Sequence, residues 1–411
     1  MKYGLIGERL GHSFSKILHN KIADYDYCLC EIGRDELDGF MKERDFLGIN
    51  VTIPYKEAVI PYLDFVDDSA KEISAVNTVI NRGGMLYGYN TDFCGMKMLF
   101  SHAGIDPKAK KVAILGTGGT SKTAFALLSS LGASEILRVS RRSGDRVITY
   151  ADLMEKHSDT QIIVNTTPLG MFPDIHGCPI DISGFGGLIG VIDVVYNPIN
   201  TTLVQKAREA GIAAESGLFM LVGQAVRAAE LFMDKRLPDS ITQRIFAEIK
   251  GEKENIVLIG MPASGKSTVG RIVAERMGRR FVDTDDLITE RCGMKIKDFI
   301  PLYGEKKFRD IESEVIASVA GDTGLVIATG GGAILREKNI SALKYNGKII
   351  FIDRPLDMLV TTDSRPLSSD REALSKRYEE RYPIYTSVCE WHIDGSGTAD
   401  EVANKIMETY Q

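Results

Sequence analysis

The sequence predicts an α/β protein built from three consecutive units, and three stretches carry that prediction. Residues 255–277 run from an apolar strand through Gly260-Met261-Pro262-Ala263-Ser264-Gly265-Lys266-Ser267-Thr268 into a helical segment ending at Met277. Residues 111–142 repeat the strand, glycine loop, helix and strand layout with another loop, Gly116-Thr117-Gly118-Gly119-Thr120-Ser121. Residues 1–90 alternate strand-like with helix-like runs. Such alternation leads to layered α/β folds with largely parallel sheets.

Composition narrows the class further. A length of 411 residues suits two or three domains, and 44% apolar with 26% charged residues is ordinary for soluble globular protein. The net charge of −6 leaves no basic footprint for nucleic acid. No apolar run approaches the roughly 18 residues of a membrane span. Met1–Gly7 reads as a first strand rather than a signal peptide, because glycine and Glu8 interrupt it. The six cysteines form no C-x-x-C pair, which fits thiols in a reducing cytoplasm.

The first unit, expected over 1–95, carries polar clusters at the ends of its strands. Ser13 and Ser15 precede a helical stretch and alone would read as N-caps. Gly48–Pro54 is a short strand placing Asn50, Thr52 and Pro54 on one face, with a helix expected from about Lys56. Asn77 and Asp92 close two further clusters, Ala75-Val76-Asn77-Thr78 and Gly88-Tyr89-Asn90-Thr91-Asp92, around a hairpin at Arg82-Gly83-Gly84-Met85.

The second unit, expected over 96–216, has the dinucleotide-binding layout. Strand Lys111–Leu115 feeds the glycine loop, an apolar helix covers 124–131, and a second strand, Glu135–Val139, ends at Ser140-Arg141-Arg142. Ser121 stands where the third glycine of that loop usually falls. An NAD site wants Asp or Glu after the second strand, whereas two arginines suit a 2′-phosphate; the competing reading is a solvated basic turn. NADP(H) is therefore expected on Gly116, Thr117, Gly118, Gly119, Thr120, Ser140, Arg141 and Arg142. Strands at 161–165 and 191–196 follow, the latter ending at Tyr196. Helical segments near 217–250 contain Gln224 and should complete the first unit. Lys250–Glu254 is charged, without apolar periodicity, and reads as a linker.

The third unit, 255–411, opens on a full match to G-x-x-x-x-G-K-[ST] between strand and helix. Successive N–H groups and the helix dipole there face phosphate oxygens. Gly260, Ala263, Ser264, Gly265, Lys266, Ser267 and Thr268 are the expected ATP contacts. Lys266 would reach the β- and γ-phosphates and Ser267 would hold Mg²⁺. The alternative is a chance glycine-rich turn.

Ser13-Phe14-Ser15, Asn50-Val51-Thr52-Ile53-Pro54-Tyr55-Lys56, Ala75-Val76-Asn77-Thr78, Asn90-Thr91-Asp92 and Gln224 together resemble shikimate dehydrogenases across the first 250 residues. The resemblance implies that Ser13, Ser15, Thr52, Asn77, Asp92, Tyr196 and Gln224 bind substrate, with Lys56 and Asp92 as catalytic pair. Thr117 and Ser140 depart from that family's usual Ala and Asn. Residues 254–411 resemble shikimate kinases, which implies Asp283 supporting Mg²⁺ with Ser267, and Asp285 on the substrate hydroxyl. Phe281–Asp285 is expected as a strand ending in both carboxylates. Arg309, steadied by Glu312 one turn on, Gly330, Gly331, Gly332 and Arg381 would hold shikimate. Arg365 would reach the phosphates from a lid. Many kinases of the family have a second lid arginine where this chain has Met358.

The expected function is bifunctional: NADPH-dependent reduction of 3-dehydroshikimate, then ATP- and Mg²⁺-dependent phosphorylation of shikimate, in aromatic amino-acid biosynthesis. Partners would be these small molecules in the cytoplasm, without nucleic acid or membrane and with no expectation for oligomeric state. One alternative is an NAD-dependent quinate/shikimate dehydrogenase fused to a kinase, which Arg141 and Arg142 oppose. Another is a catalytically silent metabolite sensor, which should lack Lys56, Asp92, Lys266 or Asp285; all four are present.

Overall fold

Apolar strands too short to be buried helices assemble into three sheets, one for each expected unit. A computed structural model of the chain describes residues 2–10, 14–359 and 371–410. It divides into two compact units: Met1–Asn197 with Thr201–Glu248, and Pro198–Asn200 with Ile249–Gln411.

In the first unit, β1 (Tyr3–Gly7), β2 (Tyr27–Glu31), β3 (Gly48–Val51), β4 (Phe65–Val66), β5 (Thr78–Arg82) and β6 (Met85–Tyr89) form a mixed sheet ordered β2-β1-β3-β5-β6-β4. Ile6, Ile49, Val51, Val79 and Leu86 face one core from it. Arg82 pairs Met85 across a two-residue turn, where Gly83 and Gly84 have φ of 62° and 91°. Only glycine takes two successive positive φ values cheaply, so the hairpin falls where the sequence places it.

The second sheet contains β7 (Lys111–Leu115), β8 (Glu135–Ser140), β9 (Ile148–Thr149), β10 (Ile162–Asn165), β11 (Gly190–Asp193) and β12 (Ala213–Ser216), all parallel, ordered β12-β11-β10-β7-β8-β9. Its strands are near-continuous apolar runs, as a sheet covered on both faces requires. The helix Leu218–Met233 joins the two halves. Phe219 and Met220 enter the core of this sheet, while Ala228, Leu231 and Phe232 pack under the first. It crosses the helix Thr91–His102 closely: a Cβ on Gly95 would lie 2.6 Å from the Met220 carbonyl oxygen.

The other compact unit holds β13 (Asn255–Ile259), β14 (Arg280–Asp283), β15 (Leu325–Ala328), β16 (Gly347–Asp353) and β17 (Trp391–Asp394), parallel and ordered β14-β15-β13-β16-β17. The phosphate-loop strand is central, with Ile256 and Leu258 fully buried.

Several expectations need correction. No helix starts at Lys56: residues 56–59 are turns, followed by a short 3-10 turn Ile60–Tyr62. Pro61 lacks the N–H a helix would need and its ring would clash with the preceding turn. Lys250–Glu254, expected as a linker, is not without secondary structure: the helix Ser240–Lys253 takes up most of it. Charge-rich composition hid the anchors: the Arg279 guanidinium donates to the Gly251 and Glu254 carbonyls, and Gly324 N–H to that of Lys253. The third strand-end differs as well. β14 stops at Asp283, whose carboxylate caps the helix Thr284–Cys292 by accepting from Asp285 N–H at 3.0 Å, so Asp285 is helical. Aspartate is a strong N-cap former, and here it outcompetes strand continuation. Likewise β11 ends at Asp193, before Tyr196. Finally, Phe14 caps the helix Ser15–Ile22 without a side-chain bond, so Ser15 is not spent on capping.

Candidate active sites

The strand ends and loops of the first unit surround a cavity of about 700 Å³. Ser15, Thr52, Lys56, Asn77, Asp92, Tyr196 and Gln224 all line it. Ser13 lies outside the described residues. Lys56 comes from the turn after β3, and Val76 N–H donates to its carbonyl at 2.8 Å, which fixes the turn. Asp92 sits in the first turn of the helix Thr91–His102, capped by the Asn90 side chain. The two meet at 2.6 Å, Lys56 Nζ to Asp92 Oδ2, with the carboxylate mostly enclosed. A short ion pair facing a cavity can hold and deliver a proton. Asn77 Oδ1 accepts from Thr91 N–H at 2.7 Å, so its amide nitrogen is the end left to donate to a ligand.

Asn50 and His19 also line the cavity, though the sequence reading gave neither a site role. Asn50 Oδ1 accepts from Tyr27 at 2.7 Å and its amide donates to Thr78 at 3.0 Å. His19 stacks on Tyr27 with ring centres 4.0 Å apart. Burial pushes the His19 imidazole down to about 3, against a hydrogen bond to Asn50 that raises it, so it stays neutral. Spacing held the signal, since His19 follows Ser15 by four residues on one helix.

The glycine loop after β7 opens onto the same unit. Gly116 has φ 108° and a Cβ there would sit 2.8 Å from Thr166 Oγ1, so glycine is required. Thr117, Gly118 and Gly119 are exposed and Gly118 caps the helix Gly119–Ser130, which Thr120 continues. Ser121 Oγ donates to the Gly116 carbonyl at 2.8 Å and is wholly buried. It thus closes the loop with a bond where a third glycine would close it by contact. Ser140 ends β8, and the exposed Arg141 and Arg142 stand just beyond. Neither guanidinium pairs with a carboxylate among the described residues. Behind the neighbouring strand ends, Asp193 Oδ1 accepts from Asn165 Nδ2 at 2.9 Å and Val195 N–H at 3.1 Å. Its other oxygen accepts from Thr201 at 2.7 Å. Full burial raises Asp193 to about 6, with those three bonds opposing the rise. They tie the turn carrying Tyr196, whose ring meets Phe14 edge-on at 5.6 Å.

In the other unit, Gly260 has φ 149°, and a Cβ there would lie 2.7 Å from the Ile352 carbonyl. Ala263 and Gly265 also take positive φ, 67° and 92°, curling the loop over the helix Lys266–Met277. Thr268 lies in the first turn of that helix. Lys266 is buried and folds back, donating to the Gly260 and Met261 carbonyls at 3.0 and 2.8 Å and to Ser264 Oγ at 3.4 Å. Ser267 Oγ donates to Asp283 Oδ2 at 2.6 Å. One hydroxyl and one carboxylate at that spacing fit Mg²⁺, which keeps most of its shell for water and phosphate.

Arg309 reaches Glu312 with contacts of 3.0 and 2.8 Å and Glu305 at 3.1 Å. Burial works against the Arg309 charge, but the two acids outweigh it and hold the group above its ordinary range. Burial raises Glu312 in turn, only partly offset by Arg309. The three glycines explain themselves by close approach rather than by φ. Added Cβ atoms would come 2.6 Å from Asp285 Oδ1 at Gly330, 2.8 Å from Pro262 at Gly331, and 2.4 Å from both Arg309 nitrogens at Gly332. Arg381 donates to the Gly331 carbonyl at 3.0 Å. Tyr385, missed from sequence, donates to the Gly260 and Gly331 carbonyls at 3.0 and 2.5 Å, bridging phosphate loop and glycine turn. Arg365 falls outside the described residues.

These features define a two-domain, dinucleotide-binding oxidoreductase architecture followed by a P-loop kinase. The family model of the shikimate dehydrogenase substrate binding domain matches residues 5–79, and that of shikimate kinase matches 262–411. Shikimate dehydrogenase (NADP(+)) of Clostridium beijerinckii is 35% identical over 267 residues, 61% of this chain and 98% of its own length. Shikimate dehydrogenase 1 from Peptoclostridium difficile is 36% identical with TM-score 0.55, over 61% of this chain and 98% of its own. Quinate dehydrogenase from Corynebacterium glutamicum, in complex with NAD, is 27% identical with TM-score 0.55, over 60% and 99%. The chain belongs to the shikimate dehydrogenase family and carries a shikimate kinase domain behind it, making a bifunctional enzyme.

Proposed function

We propose that the chain reduces 3-dehydroshikimate to shikimate with NADPH and then phosphorylates the shikimate 3-hydroxyl with ATP and Mg²⁺. The Lys56–Asp92 pair at 2.6 Å, inside a cavity that gathers the described candidate substrate residues, carries the first half of this reading. Residues 1–95 with 217–250 are assigned to substrate, 96–216 to NADP(H) and 255–411 to the kinase. Bound NADPH supplies the hydride. As the 3-carbonyl carbon receives it, charge develops on the oxygen; the Lys56 ammonium stabilises that oxygen and gives it a proton. Asp92, at 2.6 Å from Nζ, keeps Lys56 aimed. Ser15, Asn77 and Gln224 hold hydroxyls and carboxylate.

In the kinase half, bound ATP supplies the phosphoryl group, and Ser267 with Asp283 would hold its Mg²⁺. Arg309 and Arg381 grip the shikimate carboxylate, for which a guanidinium fork is suited. Asp285 orients the attacking hydroxyl and takes its proton. Lys266 must leave its loop carbonyls for the phosphates, a local side-chain change. Both halves work on small hydrophilic acids in the cytoplasm; among the described residues no helix is long and apolar enough to cross a membrane.

The quinate dehydrogenase likeness shows that this fold also serves an NAD enzyme, so fold alone leaves the cofactor open. The two arginines after β8, where NAD enzymes carry an acid, favour NADP(H). A charge-assisted contact on the 2′-phosphate is worth roughly 1.5–3 kcal/mol. Arg141→Ala should therefore raise the KM for NADPH about 10- to 100-fold and scarcely change that for NADH. Equal losses with both cofactors would make the arginine structural. The whole proposal is tested by one assay of the purified chain with 3-dehydroshikimate, NADPH, ATP and Mg²⁺, following nicotinamide absorbance and phosphate transfer together. Failure of either signal removes that half.

A further inference from the structure

The carboxyl end of β16 abuts the phosphate loop, because β16 pairs in parallel with β13 from Asn255 to Ile259. The first residues beyond it are Arg354 and Pro355. A Cβ on Gly265, which caps the phosphate-loop helix, would lie 3.9 Å from Arg354 Nη1. From the other side, a Cβ on Gly395, in the turn after β17, would come 3.1 Å from the Asp353 carbonyl and 3.3 Å from Arg354 N. The main chain at 353–354 is thereby held against the turn after β17, where Gly395 N–H donates to the Asp353 carbonyl at 2.8 Å, while the guanidinium lies toward Gly265. Among the described residues, the half-buried Arg354 makes a long bond, Nε to the Met358 carbonyl at 3.4 Å. No carboxylate among the described residues pairs with it. Its acidic neighbour Asp353 is engaged elsewhere, by His392 at 2.8 Å, Tyr382 at 3.1 Å and Tyr378 at 3.5 Å.

We infer that Arg354 is a nucleotide-binding residue of the kinase domain, its guanidinium meeting the phosphate chain of the triphosphate beside Gly265. The inference rests on the kinase reading and deepens it. The N–H groups that start a phosphate-loop helix face phosphate oxygens, so phosphate is the chemistry a cation meets there. Arginine presents several donors in a fixed fork that matches phosphate oxygens. Lys266 approaches the loop from the start of its helix and Arg354 from the end of β16, which would spread positive charge along the chain of phosphates. Met358, four residues further on, brings no charge, so Arg354 is the cation this stretch contributes. From sequence alone, Asp353-Arg354-Pro355 looks like any charged turn after an apolar strand.

The test uses the full chain with Arg354→Ala and Arg354→Lys. One charge-assisted contact of the usual strength corresponds to about 10- to 100-fold. Arg354→Ala should raise the KM for ATP by that factor, leaving the KM for shikimate and the dehydrogenase kcat/KM unchanged. Arg354→Lys should recover part of the loss, keeping charge without the fork. Calorimetry should show ADP and inorganic tripolyphosphate weakened by a similar factor. Unchanged ATP and ADP affinity in Arg354→Ala would overturn the inference. So would ADP weakened with tripolyphosphate unaffected, since the contact would then be to the base. ADP binding needs no turnover, so it tests Arg354 even if the wild-type chain phosphorylated no shikimate. That last result would overturn the kinase reading instead.

Discussion

Lys56→Ala should lower the dehydrogenase kcat about 10²–10⁴-fold, the usual worth of a positioned general acid, while kinase turnover stays as in wild type. The bland alternative is a salt bridge that merely steadies a loop. Exposed ion pairs contribute only about 0–1 kcal/mol, and losing one would alter stability without removing chemistry. Geometry separates the two readings. Lys56 projects from turns fixed by their own backbone bonds, Tyr55 N–H to the Thr52 carbonyl at 2.9 Å and Val76 N–H to that of Lys56 at 2.8 Å. Removing the side chain therefore leaves the turn in place. Asp92 lies deeper than its partner, with 11% side-chain exposure against 29% for Lys56, so the pair faces the cavity with its cationic end. Asp92→Asn should reduce kcat too, and the double variant should lose little more than either single one, because the two act as a unit. Near-normal reduction by Lys56→Ala would remove the residue from the mechanism.

How far the sequence could be read depended on whether a motif's cause was local. The phosphate loop and the Gly83-Gly84 hairpin are short-range devices, and both fall where glycine, apolar runs and turn residues place them. The gathering of polar residues around the cavity of about 700 Å³ was legible for a different reason. Ser15, Thr52, Asn77 and Asp92 stand at or next to the ends of elements that converge on the cavity, so polar clusters at those ends marked it. What stayed hidden depends on distant partners. Gly251 looks like a linker residue until Arg279, 28 positions away, is seen holding its carbonyl. Ser121 looks like a defect in a glycine signature until its hydroxyl is found on the Gly116 carbonyl. Tyr385 looks like a core tyrosine on a helix, and only the tertiary fold brings it to both glycine-rich turns. The strand expected to carry Asp283 and Asp285 failed on competition between local choices. Alternation favoured a strand, whereas the aspartate cap favoured a helix, and the cap won.

That last displacement bears on the second large effect, expected for Asp285→Asn. Being helical, Asp285 takes its position from the cap: its N–H is held by Asp283, the same carboxylate that accepts from Ser267 at 2.6 Å. Metal-side and hydroxyl-side carboxylates are thus fixed to each other through one turn of backbone. Glu312 reaches the same place from the opposite side, since a Cβ on Gly330 would lie 3.1 Å from its Oε1 and 2.6 Å from Asp285 Oδ1. Glu312, however, is committed to Arg309 by contacts of 2.8 and 3.0 Å, so we assign the substrate hydroxyl to Asp285 rather than to Glu312. The amide of Asn keeps the shape and one acceptor but cannot take a proton. Phosphoryl transfer relies mostly on positioning, so part of the effect belongs to orientation and part to the proton. Together these should lower the kinase kcat about 10²–10⁴-fold, with ATP affinity and dehydrogenase activity intact. Glu312→Gln is the contrasting variant. It breaks a buried pair, and such losses typically cost about 3–5 kcal/mol of stability, so it should unfold the kinase domain at lower temperature rather than stall it. Asp285→Asn that melted like Glu312→Gln, or that raised the KM for shikimate at unchanged kcat, would reassign Asp285 from the reaction to the framework.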